Sequence, residues 1–270
     1  MSATCVILAR AGSRGLPGKN WAPVAGRPCA AWTIEAARGA RGVARVVVST
    51  DAPEVAGLAR AAGCDVVERP PELAGDAATV DAAARHAVRA VEDRVRARNA
   101  RRDPVVILYA NVPVRPPGLI DRALAVLAAS GCDSVQSYAP VGKLHPWWMV
   151  RLGEDGVVRP WEGEVLNHGV FRRQDLPPAH VPDGGVIALT RPALFLELAG
   201  VSGPHAFFGA ERRGIVTGPG EVVDIDTAED LWVAEAALRG RTASGAGRGC
   251  AGASSASSHG PRGPAVARGR

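Results

Sequence analysis

Short runs of β-branched and apolar residues alternate with alanine-rich stretches of helical period along most of the chain. This is the pattern of an α/β fold, a mostly parallel Rossmann-like sheet flanked by helices. Residues 4–8 form an apolar run, as a strand buried on both faces does. Residues 30–38 have helical period, and residues 45–49 repeat the buried-strand pattern. Pro53 opens the next helix, at a position where its missing N–H is no loss. A short strand is predicted at 65–67 and a long helix at 79–98, its later part densely charged. A strand at 104–109, a helix at 119–129 and a strand at 133–138 follow. The pattern resumes with a strand at 186–189, a helix at 192–198 and strands at 214–216 and 222–225. A closing helix is predicted at 227–238, with Thr227 as N-cap and Glu229 and Asp230 in its first turn.

Two stretches break the pattern. From 143 to 182 the period is irregular, with Trp147, Trp148 and Trp161 amid charged residues and turns. This excursion is the candidate for substrate contacts or for the interface of a homodimer. After Gly240 the composition collapses to Gly, Ala, Ser, Pro and Arg, which cannot bury enough apolar surface to offset the entropy of ordering. The expected organisation is one domain over 1–240 and an unstructured tail over 241–270.

The tail changes the reading of the charge. The chain carries a formal net charge of +5, but residues 241–270 hold five arginines and no Asp, Glu or Lys, which leaves 1–240 at net zero. The folded part therefore lacks the basic footprint of a nucleic-acid binder. The five cysteines are scattered without zinc-like or redox-pair spacing; four read as small core residues of a reducing compartment, and Cys250 lies in the tail. No run approaches a membrane span, and the N-terminus enters a strand without a charged lead-in, so a cytoplasmic protein is expected.

The most informative chemistry lies in residues 7–20, ILARAGSRGLPGKN. Gly12, Gly15 and Gly18 stand among Arg10, Arg14 and Lys19 directly after a buried strand. Glycines let backbone N–H groups approach an anion, and the cations suit a triphosphate. The loop is neither of two common phosphate loops. Five residues separate Gly12 from Gly18, where a P-loop has four, and Asn20 follows Lys19 in place of Ser or Thr. Its glycine spacing also fails the dinucleotide fingerprint. Lysine usage adds weight, since Lys19 and Lys143 are the only lysines among 32 basic residues. A compact point charge thus persists where a phosphate contact is expected. Asp224 and Asp226, at alternate positions of a predicted strand end, share one face and suit Mg²⁺.

The loop resembles the N-terminal signature of the acylneuraminate cytidylyltransferase family, I-P-A-R-x-G-S-K/R-x-x-x-x-K-N, with Leu8 in place of the proline. The similarity continues through AGRPCAAWTIEAA (25–37), VVVSTD (46–51), RRQDLPPAHVPDGGVIAL (172–189) and VVDIDTAEDL (222–231). The resemblance implies a sheet of the nucleotide-diphospho-sugar transferase type. It also implies transfer of CMP from CTP to an acidic, sialic acid-like sugar. In that family Arg10 and Lys19 hold the triphosphate. Ala9, Gly12, Ser13, Arg14 and Asn20 make up the nucleotide site, Thr79 adds a hydroxyl near it, and Asp224 and Asp226 hold the metal.

The expected sugar pocket departs from the family. Residues 108–116, LYANVPVRP, stand where the family has L-Q-P-T-S-P-L-R-T. Pro113 and Arg115 match, Tyr109 replaces Gln, Val112 replaces Ser, and Asn111 stands where the related Kdo enzymes carry a metal-binding Asp. Arg173 matches a family arginine near the sugar, and Asp183-Gly184-Gly185 replaces Asn-Gly-Ala. The expected sugar contacts are therefore Tyr109, Asn111, Arg115, Arg173 and Asp183. Two rival readings are a glycosyltransferase with an Asp-x-Asp metal site and a non-catalytic nucleotide-binding homologue. Pyrophosphate release separates both from a nucleotidyltransferase.

Overall fold

A computed structural model describes residues 2–95, 103–195, 200, 203 and 205–246. Seven strands form one sheet: β1 (Ala3–Ala9), β2 (Val43–Thr50), β3 (Asp65–Glu68), β4 (Val105–Tyr109), β5 (Ser134–Pro140), β6 (His180–Leu189) and β7 (Arg212–Val216). Their order is β7-β5-β6-β4-β1-β2-β3. All run parallel except β6, which is antiparallel to both β4 and β5. The principal helices are α1 (Cys29–Gly39), α2 (Pro53–Ala61), α3 (Val80–Val95), α4 (Leu119–Ser130) and α5 (Ala228–Ala246).

The continuous apolar runs do what their pattern requires. In β1, Cys5, Ile7 and Ala9 enter one core cluster while Val6 and Leu8 enter the other. In β4, Val106 and Leu108 face the first cluster and Val105 and Ile107 the second. Helices α1, α2 and α4 cover the first face; Ala83, Ala84, Ala87, Val88 and Val91 of α3 cover the second. Such two-sided burial is worth about 1.5–3 kcal/mol per large aliphatic side chain. Cys5 and Cys29 are buried thiols, pushed up to about 12 by desolvation, and are chemically inert in that state.

Three expectations need correction. The strand predicted at 222–225 does not form. Its backbone makes one bridge, Val223 to Val114, and Ile225 N donates to Asn111 O at 2.9 Å. The facing segment contains Pro113, Pro116 and Pro117, which have no N–H to continue a ladder. The closing helix does not stop at 238 or 240 but runs to Ala246, so the domain edge expected at Gly240 falls inside an element. Arg241 anchors that extra length, donating to Arg115 O at 2.6 Å and Glu221 O at 2.8 Å. The long excursion is also not wholly irregular: it holds a two-stranded hairpin, Val150–Leu152 with Val158–Pro160, and ends as β6. The charged end of the helix predicted at 79–98 and residues 196–198 of the one at 192–198 lie outside the described residues, as does the tail from 247.

Parallel order places the C-terminal ends of β1, β4 and β5 at one edge of the sheet, the edge where open α/β sheets carry their ligands. Since β6 runs the other way, the excursion between β5 and β6 leaves and returns at that same edge.

Candidate active site

The loop after β1 is drawn over the sheet edge by contacts that leave its cations free to face a cleft. Ala11 N donates to Asp51 Oδ1 at 2.8 Å, and Asn20 Nδ2 to Arg10 O at 2.8 Å. Gly15 passes so near residue 226 that a Cβ there would lie 2.5 Å from Asp226 O. Gly15→Ala must displace one wall of the cleft. The expected result is a roughly tenfold or greater loss of affinity for the CTP that the resemblance implies, with little loss of thermal stability, checked by calorimetric titration beside a melting curve.

The cleft has a volume of ≈ 380 Å³. Arg10, Ser13, Arg14, Lys19 and Asn20 line it from the loop, Tyr109 and Asn111 from the end of β4, and Asp226 from the segment before α5. The opposite wall is residues 69–83, with Arg69, Asp76 and Thr79. Thr79 Oγ1 also accepts from Ala82 N at 3.3 Å at the start of α3.

At the mouth, Lys19 Nζ donates to Ile225 O at 2.7 Å and to Asp226 Oδ1 at 2.6 Å. The lysine side chain is 13% exposed and that of Asp226 is 71% exposed. Asp224 lies deeper, where Asn111 Nδ2 bridges its carboxylate and Ile225 O. Burial, with Asp226 as a second like charge, pushes the Asp224 carboxyl up to about 6. The helix behind is capped reciprocally: Asp230 Oδ2 accepts from Asp226 N and Thr227 N, and Thr227 Oγ1 accepts from Asp230 N. Asp230, not Asp224 or Asp226, is thus the capping carboxylate. Among the described residues no group of three or more His, Cys, Asp or Glu is placed to hold a metal ion.

The expected sugar contacts divide. Tyr109 and Asn111 reach the cleft. Arg115 does not: it is 7% exposed, and its guanidinium is spent on Gly185 O at 2.7 Å, Tyr109 O at 2.9 Å, Thr33 Oγ1 at 2.8 Å and Val112 O. Asp183 is likewise consumed, accepting from Ser137 Oγ at 2.5 Å, Thr217 Oγ1 at 2.6 Å and Gly185 N at 2.9 Å. Both act as internal clamps, with four of the five guanidinium N–H groups and three acceptor positions of the carboxylate engaged within the protein. Arg173 is exposed on a short turn, Arg173–Asp175, outside the cleft lining. Ala9 is packed in the core and Gly12 is exposed, so neither lines the cleft through a side chain. Val112 is fully buried against Gly184, which removes it from the pocket wall. Gly185 has a local reason, since a Cβ there would come within 2.8 Å of Ser137 Oγ.

Two cleft residues escaped the sequence reading. Arg69, 6% exposed, donates to Ser49 Oγ at 3.2 Å and Ser49 O at 3.0 Å, and burial lowers its pKa to about 10. A signal existed: Pro70 holds residue 69 in extended backbone at the end of β3, on the ligand edge. Asp76 sits in a turn, and no spacing pointed to it.

A sequence profile for the family described as Cytidylyltransferase matches residues 4–145. The chain is 29% identical over 233 residues to an N-acylneuraminate cytidylyltransferase of Streptococcus agalactiae serotype III, covering 86% of this chain and 52% of that protein. It thus spans about half the length of those streptococcal relatives. It is 35% identical over 162 residues to the CMP-N,N'-diacetyllegionaminic acid synthase of Legionella pneumophila, covering 59% of this chain and 67% of that one. In fold it is similar to a solved CMP:2-keto-3-deoxy-manno-octonic acid synthetase complexed with CTP, with TM-score 0.62 and 20% identity over 89% of this chain and 100% of that one.

Proposed function

The chain belongs to the cytidylyltransferase family, and from that premise we propose that it activates an acidic, sialic acid-like 2-keto sugar with CTP, releasing pyrophosphate. The observation that carries the reading is the meeting of Lys19 with Asp226 at the mouth of a cation-lined cleft, with Asp224 two residues back and deeper. A sugar hydroxyl attacks the α-phosphate in line and pyrophosphate leaves, with no covalent enzyme intermediate. Arg10, Arg14 and Lys19 hold the polyphosphate and neutralise charge as it builds on the leaving group. Asn20 lines this space, and its Oδ1 is buried without a protein partner, an unmet acceptor at the cleft wall.

The two aspartates fit a divalent cation. They are hard oxygen donors, and their mutual repulsion is of the kind a cation relieves. Mg²⁺ held by Asp224 and Asp226, with substrate oxygens and water completing its shell, would supply further charge neutralisation at the phosphates. The test is pyrophosphate release with CTP, Mg²⁺ and a panel of 2-keto acid sugars, with UTP, GTP and ATP as controls. Release requiring CTP and one sugar is expected. Release with any nucleotide and no sugar would overturn the reading.

The excursion supports a homodimer. Leu144, Leu152, Trp161 and Phe171 are 66%, 71%, 51% and 83% exposed, and all lie on this one segment. A second copy of the chain, presenting the same apolar residues, would cover this patch. Sedimentation should show a dimer that Phe171→Glu weakens; a monomer in both would remove the interface.

A further inference from the structure

Asp76 lies between the short helix Pro71–Ala74 and Thr79, on the wall facing the glycine loop, and the reaction just described does not use it. Its carboxylate is divided between two cations of that loop. Oδ1 accepts from Arg10 Nη1 at 2.8 Å, and Oδ2 meets Arg14 Nη2 at 2.5 Å. A carboxylate spanning two guanidinium groups makes the same kind of contact that a phosphate makes with them.

The clasp is not built as a permanent staple. The side chains of Asp76, Arg10 and Arg14 are 42%, 36% and 86% exposed. Ion pairs so open to water are weak and screened by salt, and a single carboxylate competes poorly with a multiply charged polyphosphate. Its strength is therefore suited to displacement. Resting on the reading of the cleft as a polyphosphate site, we propose that Asp76 is an internal competitor for Arg10 and Arg14. The triphosphate displaces it on entry, and it returns to the two cations as pyrophosphate leaves.

This role predicts a gain of affinity on mutation, which a scaffold role does not. Asp76→Asn keeps the shape and removes the charge; Asp76→Ala also removes the acceptors. Calorimetric titration of the full chain with pyrophosphate and with CTP, in Mg²⁺ at low salt, should show both variants binding each ligand about three- to tenfold tighter than the parent. The inhibition constant of pyrophosphate in the forward reaction should fall by the same factor, with the melting temperature of the free protein unchanged. If Asp76 merely holds the arginines in place, both variants bind more weakly, and that result overturns the proposal. Unchanged affinity overturns it too, and both leave the assignment of the cleft intact. A parent protein that binds neither pyrophosphate nor CTP overturns that assignment, and the competitor role with it.

Discussion

Lys19→Ala is expected to lower kcat/KM by on the order of 100- to 1,000-fold while the circular dichroism spectrum and melting curve stay close to the parent's. The loss is large because the ammonium is placed before substrate arrives, 2.7 Å from Ile225 O and 2.6 Å from Asp226 Oδ1 in a largely enclosed position. A preorganised charge needs no rearrangement as the leaving group gains charge. The fold should tolerate the change, since Asp226 is open to water and is not stranded by losing its partner. Lys19→Arg should rescue little, because a planar fork does not fit where a compact ammonium touches two oxygens at once. Asp226→Ala should lose activity to a similar degree. Near-parental turnover in Lys19→Ala would remove this residue from the catalytic set.

Arg115→Met is expected to act on the opposite quantity. It should cost about 3–5 kcal/mol of stability, a fall in melting temperature of roughly 6–20 °C. The guanidinium is buried beneath the site and joins three stretches of chain: Gly185 O on β6, Tyr109 O and Val112 O after β4, and Thr33 Oγ1 on α1. Methionine fills much of the volume but removes a charged donor from all four; Thr33 Oγ1 still reaches Val112 O and Tyr109 O, while Gly185 O loses its side-chain donor. A melting curve decides the matter. A shift below about 3 °C would mean that water or a neighbour replaces the missing donors, and that the clamp is not structural.

These two residues show what the sequence could and could not disclose. Lys19 was readable because a rare lysine stood in a glycine-rich loop after a buried strand, a local pattern with one strong chemical meaning. Arg115 was readable as important but misread in role. Motif position alone does not say whether a guanidinium points into a cleft or back into the core, and only burial distinguishes them. Asp183 is likewise turned to internal partners, Ser137, Thr217 and Gly185. The sheet was legible because two-sided burial imposes continuous apolar runs on β1, β2 and β4, whereas the direction of β6 was not, since a strand reads alike in either direction. The segment at 222–225 reads as a strand because Val222, Val223 and Ile225 have strand character, but strand character needs a partner able to donate. Asp76 escaped because it sits in a turn, where periodicity carries no signal, and Arg69 because its one cue was the proline that follows it.

The reversed strand has a further bearing on how such a chain can change over time. β5, the excursion and β6 together are one very long hairpin, rooted in the sheet at both ends and open at its tip. The entropy of closing a flexible loop grows only with the logarithm of its length, about 0.6 kcal/mol for each doubling. Insertions, deletions or a wholesale exchange between Pro140 and His180 therefore tax the folding of the sheet very little. The glycine loop and the wall carrying Arg69 belong to β1–α1 and β3–α3, on the far side of β4, and are untouched by such exchanges. The architecture separates the half that builds the cleft from a segment whose length can change without disturbing it.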